Sequence, residues 1–168
     1  MQAAEKKPLI LTLRFDEAGQ DFFDGERKKY FPPERNFLAA HLTLFHQLPD
    51  EPATFEYLDG IRQQPFPLEV TGLLFLGAGV AYHLESPILM ALHKALSGHF
   101  QPNLIPQDRQ PFRPHVTIQN KVLPETAKAL FAMLRTDFHP VLVNATGLSL
   151  WRYLGGPWEP IRHYPFEH

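Results

Sequence analysis

Two short segments of the chain share one pattern, in which a histidine and a threonine are separated and followed by aliphatic residues. The first is His41–Leu44 (HLTL) and the second is His115–Ile118 (HVTI). Side chains on a β-strand alternate between its two faces, so each histidine shares a face with its threonine while the aliphatic residues point the other way. Each segment therefore presents an imidazole beside a hydroxyl. The repetition predicts a two-histidine site built from two similar halves.

Two such histidines on opposite walls of a cleft form an acid–base pair. An imidazole titrates near pH ~6.5, so at neutral pH one ring can be protonated while its twin is neutral. One ring removes a proton from an attacking oxygen, and the other protonates the departing oxygen. Phosphodiester cleavage suits this arrangement, with the hydroxyls of Thr43 and Thr117 donating to the non-bridging oxygens as charge develops there. No metal and no other cofactor is required.

The paired motifs, their separation and the chain length resemble the 2H phosphoesterases, which include the 2′-5′ RNA ligase-like proteins. Arg113 and Pro114 before the second motif are also typical of that family. The stretch from Tyr30 to Pro49 and the tail around Leu150–Tyr153 look like a bacterial branch of the superfamily. The resemblance covers nearly the whole chain. The two motifs together are specific, whereas either one alone is not.

The resemblance implies a metal-independent site in the groove of a bilobal fold, and it carries over His41, Thr43, His115 and Thr117. The implied substrates are nucleotides or RNA ends with a 2′,3′-cyclic phosphate or a 2′-5′ linkage. For ring opening we expect His41 to protonate the leaving ribose oxygen and His115 to activate water. This assignment rests on resemblance alone, because the two motifs are exchangeable on sequence grounds.

Three other functions stay open at this point. The same acid–base pair can run backwards, which would make the protein a 2′-5′ RNA ligase or another end-processing enzyme. A binding module could keep the cleft and sense an RNA end or a nucleotide without turnover, although such a module has little need for two titratable groups. A histidine–metal enzyme is disfavoured because neither motif has a carboxylate nearby.

Several further residues are weaker candidates. Arg113 precedes His115 by two positions and either binds substrate or is solvated, and the resemblance implies that Arg152 and Tyr153 reach the groove. The basic run 27–29 is expected to be a solvated face, although its loop could close over an anion. His46 lies five residues after His41, which places the two rings on opposite faces of a regular strand. Four aromatic residues could stack a base, although core packing is favoured for most of them: Phe45, Tyr82, Phe112 and Trp151.

The elements that must position the motifs are short, since the 17 prolines punctuate the chain and cannot donate to a sheet ladder. The pattern predicts a strand over 8–15, a polar loop with a short helical turn over 16–36, and a stretch over 37–46 that leads into the first motif strand. Helices are expected over 52–63, 86–98 and 124–134, a hairpin over 68–85, and strands over 115–119, 141–153 and 158–166. We therefore expect one α+β domain spanning 1–168, with two small, mainly antiparallel sheets related by pseudo-twofold symmetry. The sheets face a central cleft and the helices lie outside.

The overall composition narrows the class of protein. A hydrophobic content of 44% is ordinary for a globular protein, and a net charge of -2 argues against a sequence-independent binder of long nucleic acids. The absence of cysteine excludes disulfides, thiolate catalysis and iron–sulfur clusters. The sequence contains no apolar signal core and no run of the ~20 apolar residues that cross a bilayer. We expect a cytoplasmic monomer without a membrane partner.

Overall fold

Residues 7–167, which the computed structural model describes, form seven β-strands and four α-helices, so the predicted α+β class is confirmed. The predicted helices after the first motif strand and the predicted strands agree with the structure to within a few residues. In chain order the elements are β1 (Leu9–Phe15), α1 (Glu17–Tyr30), β2 (Leu42–Leu48), α2 (Pro52–Asp59), β3 (Phe66–Phe75), β4 (Val80–Glu85), α3 (Pro87–Phe100), β5 (His115–Gln119), α4 (Pro124–Thr136), β6 (Val141–Tyr153) and β7 (Trp158–Pro165).

The strands pair in the order β2-β1-β6-β3-β4-β5, with β7 also on β6, and every pairing is antiparallel. The long strand β6 is shared: its first residues pair with β3, and its later residues pair with β1 and β7. The two expected sheets are therefore two halves, β2-β1-β6-β7 and β6-β3-β4-β5, joined through one strand. Each half carries a motif strand at its outer edge, and these two strands, β2 and β5, contact each other.

The segment predicted as a polar loop over 16–36 is instead mostly helix, so that prediction is wrong. Helix α1 begins at Asp16, whose Oδ1 accepts a hydrogen bond from the Gly19 amide at 3.1 Å, as an N-cap aspartate does. Its apolar side is narrow, but Phe23 is fully buried and lies 5.0 Å from the Phe15 ring. The helix stops at Tyr30, because two prolines follow at positions 32 and 33.

The core lies between the sheet and these helices. Ser86 caps α3 by accepting from the Leu89 amide at 3.0 Å, and the buried side of this helix includes Leu89 and Leu96. The aliphatic residues of the motif strands, Leu42, Leu44, Val116 and Ile118, are all buried. This burial anchors each motif by its back, so that the histidine and threonine side chains remain on the groove face. Within residues 7–167, no helix combines the length and apolar character needed to cross a membrane.

Candidate active site

The two motif histidines are presented in the same way. His41 Nδ1 donates to the carbonyl oxygen of Ala39 at 2.9 Å, and His115 Nδ1 donates to that of Arg113 at 2.8 Å. In both cases the acceptor is two residues upstream, and since a carbonyl oxygen can only accept, the proton of each neutral ring lies on Nδ1. Each Nε2 is left to face the groove, as an acceptor when the ring is neutral and as a donor when it is protonated.

The structure brings the four motif residues together in two cavities of one groove. A cavity of about 730 Å³ is lined by His41 and Thr117, and a smaller one of about 250 Å³ is lined by Thr43 and His115. Each cavity thus combines the histidine of one motif with the threonine of the other. This crossed arrangement follows from the contact between β2 and β5. It places imidazoles and hydroxyls on two sides of the space between the strands.

The two histidines differ in their surroundings, although their hydrogen bonds match. The ring of Trp158 packs on His41, with 4.6 Å between the ring centroids. Burial lowers the pKa of His41 to about 4, against the opposing effect of the hydrogen bond to Ala39. The nearby positive charge of Arg27, and those of His115 and His46 when protonated, lower this pKa further. His41 is therefore a neutral imidazole at neutral pH.

Arg27, which we expected in a solvated basic run, is one of the site residues that could not be identified from the sequence. It is 4% exposed and donates through Nη1 to the carbonyl oxygen of Thr117 at 3.0 Å. Its Nε donates to Asn36 at 3.1 Å, and its guanidinium lies 4.0 Å from the Phe31 ring centroid. Burial lowers the pKa of Arg27, opposed by Asp24. Arg27 thus ties α1 to the second motif strand and lines the larger cavity.

His46 lies on the groove face, which contradicts the expectation from a regular strand. The pairing of β1 with β2 shifts register between Leu11, opposite Phe45, and Thr12, opposite Thr43. This β-bulge inserts one residue into β2, so the alternation of faces changes by one position. His46 consequently lines the smaller cavity together with Thr43 and His115. Across residues 7–167, no group of three or more His, Asp or Glu side chains is placed to hold one metal ion.

The three weaker candidates have different positions. Arg113 lines the smaller cavity with Thr43 and His115. Arg152 does not reach the groove, because strand alternation directs its side chain to the face opposite that of Trp151. There it pairs with Asp50 at 2.9 Å and lies 3.7 Å from Glu159. Tyr153 shares the face of Trp151 but lies beyond it, at the end of β6.

Aromatic side chains form one wall of the groove beside His41. Trp158 lies 6.0 Å from Trp151 between ring centroids, and Phe37 is 82% exposed. Phe37 and Trp158 line both the larger cavity and another of about 560 Å³ on the β1 side of His41. Neither residue was predicted from the sequence. Phe37 could have been identified as an apolar residue in the polar, Pro-rich segment just before the first motif, where an exposed ring is available to a ligand. Of the four aromatic residues for which the sequence leaves core packing and base stacking open, Phe45 and Tyr82 are buried.

Comparisons with known proteins agree with this fold. The model of the 2′-5′ RNA ligase superfamily matches residues 15–157. The structure of Escherichia coli LigT complexed with 3′-AMP is 21% identical, covers 98% of this chain and 100% of its own, and has a TM-score of 0.64. The structure of TT0787 from Thermus thermophilus is 17% identical, covers 96% of this chain and 100% of its own, and has a TM-score of 0.66. The structure of a phosphoesterase is 20% identical, covers 98% of this chain and 100% of its own, and has a TM-score of 0.64. A search of curated proteins finds no match.

Proposed function

From the premise that this chain belongs to the 2′-5′ RNA ligase superfamily, we propose that it is a metal-independent phosphodiesterase. It opens 2′,3′-cyclic phosphates or cleaves 2′-5′ phosphodiesters of nucleotides or RNA ends. One observation carries the proposal. Two histidines on facing strands each bind a backbone carbonyl through Nδ1, at 2.9 and 2.8 Å, and each leaves Nε2 to the groove beside a threonine of the other motif.

The reaction needs one base and one acid, and the two rings supply them. Water attacks phosphorus while His41 Nε2 takes the proton of that water. The bond from phosphorus to the ribose oxygen breaks on the opposite side, and His115 Nε2–H gives its proton to that oxygen. The hydroxyls of Thr43 and Thr117 donate to the non-bridging oxygens as their charge increases.

The roles of the histidines are thereby the reverse of those expected from resemblance. The reason is the pKa of His41, which burial lowers to about 4. A ring that is neutral at neutral pH can accept a proton from water through Nε2. It has no proton on Nε2 to donate to the leaving oxygen. His115 is left as the proton donor. After ring opening the two rings have exchanged their protonation states, and proton exchange with solvent restores them.

The aromatic wall supports a nucleotide rather than a simple phosphate ester as substrate. A base stacked on an aromatic ring gains about 1–3 kcal/mol, and the 82% exposure of Phe37 beside Trp158 leaves ring surface available for such stacking. LigT, which shares this fold, has been solved with 3′-AMP, with NADP+ and with ATP. We therefore place the base of the substrate against Phe37 and Trp158, and its phosphate between the two motifs.

The proposed function is tested by incubating the protein in EDTA with 2′,3′-cyclic nucleotides, 2′-5′ dinucleotides and ADP-ribose cyclic phosphate. Phosphorus NMR follows the products and distinguishes 2′- from 3′-phosphates. We expect turnover of at least one substrate, and a loss of about 100-fold or more in His41→Ala and in His115→Ala, which is within the range for removal of an acid or base.

The matched control is His139→Ala, since His139 is exposed and lies outside the groove. Near-normal rates in either motif variant would overturn the mechanism. A folded protein that turns over none of the substrates would indicate a binding module instead. Joining of RNA ends in the same mixture would indicate the ligase.

A further inference from the structure

The third histidine of the groove, His46, is held in a fixed orientation by a buried carboxylate. Asp108 Oδ1 accepts from His46 Nδ1 at 2.8 Å. The other oxygen, Asp108 Oδ2, accepts from the backbone amide of His46 at 2.9 Å and from that of Gln47 at 3.1 Å. The Asp108 side chain is 2% exposed, whereas that of His46 is 44% exposed. The carboxylate thus acts as an acceptor for three N–H groups, and the ring is oriented by its Nδ1.

This orientation leaves His46 Nε2 for a ligand. The two nitrogens of an imidazole lie on different edges of the ring, so a ring bound to Asp108 through Nδ1 turns Nε2 away from the carboxylate. Among the described residues, Nε2 of His46 has no hydrogen-bond partner. His46 lines the cavity that also contains Thr43 and His115. A polar atom is therefore available immediately beside the site of the proposed reaction.

The size and charge of this cavity favour a single anionic group. Its volume is about 250 Å³, below the ~300–1,000 Å³ typical of pockets that hold a whole ligand. Arg113 lines the same cavity, and its guanidinium forms no ion pair with the described carboxylates. The one carboxylate there, Asp108, already accepts three N–H groups. A phosphate fits a small cavity with an arginine and an imidazole, because the guanidinium donates to its oxygens, as does Nε2–H of His46 when the ring is protonated beside the Asp108 carboxylate.

We propose that His46 and Arg113 form a subsite for a second phosphate of the substrate, next to the phosphate that is cleaved. The subsite depends on the proposed function only for the position of the first phosphate, between the two motifs. It selects nucleotides or oligonucleotide ends that carry a further phosphate. That group is either the 5′-phosphate of the same nucleotide or the next phosphodiester along an oligonucleotide.

Equilibrium binding tests the subsite without any need for turnover. Isothermal titration calorimetry compares adenosine 3′,5′-bisphosphate with 3′-AMP. We expect the unmodified protein to bind the bisphosphate about tenfold more tightly, as one additional charge-assisted contact implies. In His46→Asn the shorter side-chain amide can still donate to Asp108 but has no nitrogen in the position of Nε2. We expect the preference of this variant for the bisphosphate over 3′-AMP to fall to about twofold or less. Arg113→Gln should lose it similarly, and the exposed control His139→Asn should keep it.

Three results would overturn the subsite. The unmodified protein could bind both ligands equally, His46→Asn could keep the preference, or His46→Asn could weaken both ligands by the same factor. The last result would mean that His46 acts on the first phosphate or on the fold. A bisphosphate preference that disappears in His46→Asn supports the subsite even if no substrate is turned over, in which case only the proposed function fails.

Turnover then distinguishes the two sources of the second phosphate. The substrates are adenosine 2′,3′-cyclic phosphate, the same compound with a 5′-phosphate, and a dinucleotide that ends in a cyclic phosphate. A gain in kcat/KM with the 5′-phosphate alone identifies the terminal group, and a gain with the dinucleotide identifies the internal phosphodiester. In either case His46→Asn should remove the gain mainly through KM. Equal kcat/KM for all three would contradict the subsite while leaving the proposed function intact.

Discussion

At the scale of single residues, the two motif histidines are alike in their hydrogen bonds and unlike in the side chains that pack on them. Both donate through Nδ1 to the carbonyl two residues upstream. Only His41 is packed against a tryptophan, Trp158, at 4.6 Å between ring centroids. Removing water from a ring disfavours its charged form, so the packing differentiates two groups that the sequence presents as equivalent.

The lowered pKa of His41 predicts how activity depends on pH. A base must be neutral to act, so kcat/KM should be retained as the pH falls below 6.5 and should be lost only as it approaches about 4. Trp158→Ala exposes the ring, raises the pKa of His41 and moves the acid limb upwards. If exposure returns this pKa close to its ordinary ~6.5, the neutral fraction of His41 falls by about tenfold or more between pH 7 and pH 5, and we expect kcat/KM of the variant to fall with it. Taking the ratio at two pH values cancels any effect of Trp158 on base binding.

NMR titration of the histidine Cε1 protons provides the independent measurement. The resonance of His41 is assigned by its absence in His41→Gln. Trp151→Phe is the control variant, because it alters the neighbouring ring that does not lie on His41. A His41 resonance that titrates near pH 6.5 in the unmodified protein would contradict both the pH dependence and the assignment of His41 as the base.

At the scale of elements, the bulge in β2 and the 3-10 turn Pro106–Arg109 form one unit. Asp108 lies in that turn and binds the amides of His46 and Gln47 just after the bulge. The turn therefore fixes the strand at the point where its faces exchange. Without this contact, two backbone amides and a ring N–H would lose a charged acceptor whose own side chain is only 2% exposed.

We expect Asp108→Ala to lower the free energy of unfolding by about 3 kcal/mol, because three N–H groups lose a charged acceptor at once and each such hydrogen bond contributes about 1 kcal/mol or more. Asp108→Asn keeps one carbonyl oxygen and should cost less. Urea denaturation followed by circular dichroism measures both values, with the exposed Asp137→Ala as the control. A change below about 0.5 kcal/mol in Asp108→Ala would mean that water replaces the carboxylate, since surface substitutions stay within that range.

The elements that the sequence predicts well are those with strong local signals. The two four-residue motifs alternate cleanly, and α3 begins with Ser86 and Pro87, which are typical of a helix start. Helix α1 was missed because its composition is polar and contains two glycines, so the packing of Phe23 rather than local preference stabilises it. The face of His46 could not be predicted either, since a bulge depends on the register of a partner strand that is distant in the sequence.

At the scale of the whole molecule, the site depends on both halves being folded at once. The edge strands β2 and β5 hold the motifs, and the two halves are connected by β6, which is shared between them. Ala145 marks the junction, since it pairs with Phe15 of β1 and with Phe66 of β3. The groove between the motifs therefore forms only when the complete sheet has formed.

A shared strand predicts that the two halves unfold in one cooperative transition. Ile118→Ala removes a fully buried side chain from β5, in one half, and should cost about 3 kcal/mol. The fluorescence of Trp151 and Trp158 reports on the other half, and its urea midpoint should fall together with that of the far-ultraviolet circular dichroism. Ile88→Ala is the matched control, because Ile88 is 43% exposed. A tryptophan midpoint that stays in place while the circular dichroism shifts would show two independently folding lobes, and the motifs would then approach each other only by docking of those lobes.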